Sequence, residues 1–188
     1  MGAVGGISVR WSRGVLVLAL VSACAAVAPA QKEKREPLNE AQIEQIREAG
    51  IYPDDRINLY TKFVGEHADT IKGLSSRGKS SARVQRLDGE LQDLTELMDE
   101  LGSNLDVYSD RKADIRKALK NLNEAAPRWL GILRALAGEP GFDVARKEAI
   151  ESGEDLADQA KRLLAEQTDY FLQHKDEQGQ DRAEPKGP

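Results

Sequence analysis

Cysteine is almost missing from this chain of 188 residues, with Cys24 the single example. No disulfide can form within the chain, so its stability has to come from a packed core. Aromatic residues are few, at three phenylalanines, four tyrosines and two tryptophans. No stretch shows the β-branched alternation of a half-buried strand. These two shortages argue against a sandwich or barrel and leave helices as the regular structure. Only two histidines occur, His67 and His174. They form neither an i, i+4 pair nor an H-E-x-x-H helix, so a metal site is not expected. Basic residues are outnumbered, 27 against 32 acidic ones, for a net charge of −5. An acidic surface suits neither nucleic acid nor anionic lipid, since both call for a basic footprint, so no nucleic-acid partner is expected.

What is present begins with a distinct N-terminus. MGAVGGISVRWSR carries two arginines and no acid; the apolar run GVLVLALVSACAAVA follows, then APA and QKEKRE. A short basic region, a short apolar region and a small-x-small site describe a secretory signal peptide over residues 1–30. Ala28 and Ala30 occupy the two small positions, with cleavage before Gln31. The apolar run spans 15 residues, short of the about 20 a membrane span needs. VSAC at 21–24 resembles the bacterial lipobox, and lipidation of Cys24 is the alternative to cleavage after Ala30. That lipid would be the chain's only attachment to a membrane. Loss of residues 1–30 would take the net charge from −5 to −7. The chain therefore reads as exported, either periplasmic or secreted, or else lipid-anchored in the envelope.

Residues 31–37 form a charged spacer and 38–175 a helical domain. In the first helix Asn39 is a good N-cap, with Gln42 placed to reach back as in a capping box, and Gly50 ends it in the left-handed region. Pro53 starts a second helix, with Asp54 and Asp55 at its positive end. Its apolar face is Ile57, Tyr60, Val64, Ala68 and Ile71. The strongest pattern follows: Val84, Leu87, Leu91, Leu94, Met98, Leu101, Leu105 and Tyr108 alternate spacings of three and four. The register continues through Ile115, Leu119, Leu122, Ala126, Trp129, Leu133 and Leu136, with Lys112 the one polar intrusion. A sustained 3.5-residue repeat predicts a narrow apolar seam with coiled-coil-like packing, core rather than cofactor box. Read as one helix from Ser81 to Ala126, unbroken at 102–104, it would be about 65 Å long. Pro127 is expected to kink or restart it near Ala126. GEPG at 138–141 is a turn, a last helix runs from about Phe142, and residues 176–188 read as a disordered tail. The fold class is all-α, an elongated helical bundle with one long heptad-patterned helix packed on flanking helices and no β-sheet.

Few motifs carry chemistry. GLSSRGKS at 73–80 matches the phosphate-binding pattern G-x-x-x-x-G-K-[ST]. That loop works only where a strand runs in and a helix leaves, so that backbone N–H groups aim at the phosphates. Here a helical period precedes Gly73, and the octet reads as a helix–helix turn in which Gly73 and Gly78 end one helix and a serine caps the next. SRGK at 76–79 also fits S-x-x-K, which needs its serine at a helix start beside an oxyanion hole. His67 reads as a boundary residue with one hydrogen bond, and His174 as a partner for the negative end of the last helix. Asp54–Asp55 and Glu154–Asp155 read as helix-start or solvated acids rather than acid–base pairs. No catalytic residue, cofactor or metal ligand is assigned.

LNEAQ at 38–42, followed by IEQIRE, resembles the LTxxQ motif of small periplasmic helical stress chaperones. The likeness covers about a dozen residues in a single copy, with Asn39 where the family has Thr, and a capped helix accounts for the same letters. It implies an exported, all-helical protein. The leading expectation is an exported helical bundle of a bacterial envelope that acts by binding, scaffolding or self-association through an unidentified protein partner. A chaperone-like or stress-response role is the alternative, and an enzyme ranks last.

Overall fold

A computed structural model describes residues 36–179, together with Gly2. The chain divides into two units, Met1–Lys34 and Arg35–Pro188. The expected signal peptide, its cleavage site and Cys24 lie outside the described residues. The described residues of the second unit hold five α-helices: α1 (Glu40–Glu48), α2 (Pro53–Ser75), α3 (Ser81–Asp110), α4 (Arg116–Ala135) and α5 (Asp143–Gln173). No strand occurs among the described residues, and none of their helices is long and apolar enough to cross a membrane. The all-α bundle read from the sequence is the fold.

Local signals set most of the boundaries. The Asn39 side chain accepts from the Gln42 N–H while the Gln42 side chain accepts from the Asn39 N–H, both at 3.0 Å, the reciprocal capping box. Gly50 takes φ +55° just past the Ala49 cap. Pro53 opens α2, and Ser80 caps α3 by accepting from the Arg83 N–H at 3.2 Å.

Four helices make the bundle, and side-chain pairs give their directions. Tyr60 with Glu100, and His67 with Glu90, set α2 antiparallel to α3. Asp54 with Ala118, and Asn58 with Asn121, set α2 parallel to α4. Arg134 with Glu154, and Ile115 with Gln167, set α4 antiparallel to α5, while Asp99 with Ser152, and Asp106 with Gln159, set α3 parallel to α5. Each of the four packs on two neighbours, which leaves α3 and α4 on a diagonal although they are consecutive. The seam faces inward, with Val84 only partly covered and Lys112 exposed. Leu87, Leu91, Leu94, Leu101 and Leu105 of α3 are fully buried, as are Leu119, Leu122 and Leu133 of α4. Truncating any of these to alanine removes about 2–5 kcal/mol. A second buried column, with Phe63, Leu74 and Leu97 in it, escaped the seam pattern because a bundle helix touches two partners.

The single helix expected from Ser81 to Ala126 is instead two, broken over residues 111–115. Lys112 sits in the left-handed region at φ +56°. The Lys112 N–H donates to the Ser109 carbonyl and the Ala113 N–H to the Tyr108 carbonyl, each at 3.0 Å. That pair of bonds is a Schellman ending with lysine where glycine is usual. The chain then crosses the end of the bundle diagonally. Gln167 of α5 closes the crossing, accepting from the Ile115 N–H at 3.1 Å and donating to the Ala113 carbonyl at 3.0 Å. α4 has no side-chain cap of its own, and Asp54 at the start of α2 accepts from its Ala118 N–H at 3.3 Å. The 30 residues of α3 give a long axis of about 45 Å rather than 65 Å.

Two further stretches bear on the sequence reading. α4 does not restart at Pro127, which lies inside it on the exposed side, where water can reach the carbonyl left without a donor. The stretch read as a tail begins ordered: Lys175–Glu177 form a 3-10 turn, and the Gly179 N–H donates to Asp114 at 3.0 Å. α3 does run unbroken through residues 102–104. Gly153 sits where α5 approaches α3 and α4, and a Cβ there would lie 3.0 Å from Leu130 and 3.4 Å from Met98.

Candidate functional site

The phosphate-loop octet resolves into helix ends. Gly73 lies within α2, Ser76 is its C-cap, and Ser80 caps α3. A helix, not a strand, runs into the turn, so its N–H groups do not form the nest that cradles phosphate. Ser76 of the S-x-x-K match closes a helix rather than opening one, its hydroxyl donating to the Gly73 carbonyl at 2.9 Å. Of the acid pairs, Asp54 serves α4 as described and Glu154 pairs with Arg134 at 2.7 Å. His174 caps α5, its ring stacked on Tyr170 and its Nδ1 2.9 Å from the Tyr170 carbonyl.

His67 departs from the sequence reading. It projects from the middle of α2 toward α3, where Glu90 and Asp93, one turn apart, share a face. Nδ1 lies 2.9 Å from Glu90 Oε2, and Nε2 lies 3.1 Å from the Pro37 carbonyl oxygen. One ligating atom each of His67, Glu90 and Asp93 lie within 4.8 Å of one another, the one such group found among the described residues. Asp93 is 4% exposed, while His67 and Glu90 are mostly covered. Two hydrogen bonds therefore replace the one expected, and three titratable groups meet where no motif announced them.

Both ring nitrogens face acceptors, so the charged imidazolium can donate to Glu90 and to Pro37 together. Burial opposes that charge and is the largest single influence on it. The Glu90 hydrogen bond and charge, the Pro37 carbonyl and the charge of Asp93 together outweigh burial and hold His67 above its ordinary pKa. The same contacts attach the N-terminal segment. Leu38 and Ile46 are buried, and Gln42 Nε2 donates to Glu66 at 3.0 Å, so α1 is pinned to α2 beside the histidine. A cleft of about 320 Å³ opens between them, lined by Asn39, Gln42, Glu66, His67, Thr70 and Asp93 among others.

A second groove, about 450 Å³ between α3 and α5, is lined by Asp99, Asp106, Asp155 and Asp158. There Ser152 donates to Asp99 at 2.6 Å and Gln159 to Asp106 at 2.7 Å. Those bonds tie the two helices together across an acidic surface. The chain matches no protein-family model, no curated protein and no solved structure.

Proposed function

We propose that this chain is an exported helical bundle of a bacterial envelope that acts by binding at its surface rather than by catalysis. The observation that carries the reading is the consumption of the seam. The apolar positions that would recruit a partner helix are buried within one chain, Val84 only partly, and the polar clefts described above are places where another molecule can be recognised. Neither histidine is set as a general base toward a hydroxyl or thiol, since His67 faces Glu90 and a carbonyl while His174 caps a helix. Export rests on the basic, apolar and small-x-small order of residues 1–30.

The test is intact mass of the protein recovered from its native envelope fraction. A start at Gln31, or a diacylglyceryl mass on Cys24, supports export, whereas a full-length chain confined to the cytosol overturns it. The chaperone-like alternative needs a concave apolar surface, so no suppression of client aggregation is expected at equimolar protein. Suppression at that ratio would favour the alternative.

A further inference from the structure

We infer that His67, Glu90 and Asp93 form a binding site for one divalent transition-metal ion of the zinc class. The inference stands on the geometry of α2 and α3 and does not depend on where the chain is located. Each donor comes from the interior of a long helix, so the set is held by packed backbone rather than by a loop. A zinc-sized ion with bonds near 2.1 Å needs donors about 3.4 Å apart. The His67–Glu90 pair, at 2.9 Å, has to open slightly, and donors now up to 4.8 Å apart have to close. Both movements would require the Glu90 and Asp93 side chains to rotate from their present contacts.

The ring is already oriented for this role. Its Nε2–H is taken by the Pro37 carbonyl at 3.1 Å, which leaves Nδ1 facing Glu90. A backbone carbonyl on the far nitrogen is the usual outer partner of a metal-bound imidazole, fixing tautomer and ring angle. Asp93 is buried, and His67 and Glu90 side chains are only 14% and 13% exposed, so little water competes for the donors. One imidazole nitrogen with two carboxylates favours borderline ions such as zinc, cobalt or nickel. Calcium and magnesium prefer all-oxygen shells, and copper(I) prefers sulfur. Three protein donors leave a coordination position open, and two of the three, His67 and Asp93, line the cleft beside Glu66 and Thr70.

The experiment is calorimetric titration of the chelator-treated full chain with zinc, repeated for Glu90→Gln, Asp93→Asn, His67→Gln and, as a control, His174→Ala. The expected result is one saturable ion per chain. Affinity should fall at least ~10-fold in each of the three site variants and be unchanged in His174→Ala. The two carboxylate variants keep side-chain shape, and circular dichroism of each variant separates lost binding from lost folding. Cobalt supplies a second readout, since a visible band should appear with the native chain and vanish with Asp93→Asn. No saturable binding overturns the inference, as does binding that Glu90→Gln and Asp93→Asn leave intact or that only His174→Ala removes.

Discussion

Replacing Gln167 with alanine tests the turn that makes the bundle. Its side chain satisfies two backbone groups of the α3–α4 crossing, the Ile115 N–H at 3.1 Å and the Ala113 carbonyl at 3.0 Å. Gln167, Ala113 and Ile115 are all buried, so water cannot readily replace the lost amide. A buried backbone group left without a partner costs about 1–3 kcal/mol, so two cost roughly 2–5 kcal/mol allowing for partial relaxation. Against a total stability of about 5–15 kcal/mol this is a large fraction. For a domain near this size a loss of ~3 kcal/mol lowers Tm by roughly 6–12 °C. Urea unfolding followed by circular dichroism measures the loss directly. Gln167→Glu refines the test. A carboxylate still accepts from Ile115 but has nothing to donate to Ala113, so this variant should be weak at neutral pH and recover on acidification. A loss below 1 kcal/mol for Gln167→Ala would refute the view that this side chain closes the crossing.

Four further outcomes follow from particular positions. Gly73→Ala should stabilise by about 0.5–1 kcal/mol, because the position is helical with open space around it; Gly153→Val should destabilise by about 1–3 kcal/mol through crowding of Leu130 and Met98, with thermal melts distinguishing the signs. The hydrogen bond from Arg116, above all, holds the Asp114 carboxyl below its ordinary pKa, helped by the Gly179 N–H. The folded value lies below the unfolded one, so this contribution is present above the unfolded pKa and is lost as pH falls through the folded one; Asp114→Asn should flatten the acid limb of the stability profile. Calorimetry with ATP and magnesium should give no heat, since the 73–80 octet is a helix–helix turn, and a micromolar interaction lost in Lys79→Ala would contradict that reading.

Much of this fold was legible because its signals are local. The Asn39–Gln42 box, Pro53, a serine cap before α3 and the 138–141 turn each depend on neighbours a few residues apart. The α3–α4 break was not legible, for a definable reason. Tyr108 and Ile115 both point into the core on either side of the crossing, so the heptad register passes through it without a slip. The usual marker, a glycine in the left-handed position, is replaced by Lys112. The cluster at His67 was hidden in another way, because its members come from two helices and meet only once α2 and α3 pair. The sequence held one hint, Glu90 and Asp93 at i, i+3 beside the seam. Burial of Asp93 depends on the bundle and could not be read from spacing.

The bundle depends on the chain folding back at residues 111–115. A spin-label distance between positions 85 and 134 tests it most directly, with cysteines placed at Gln85 and Arg134 and Cys24 replaced by serine. Both positions are exposed, and nearby Arg83 already reaches Glu139 at 2.5 Å across the same end of the bundle. A folded-back bundle predicts a separation on the order of two interhelical spacings, ~20 Å. A distance near 75 Å, the length of one continuous helix between those labels, would contradict the fold and return the seam to the surface as an unspent interface.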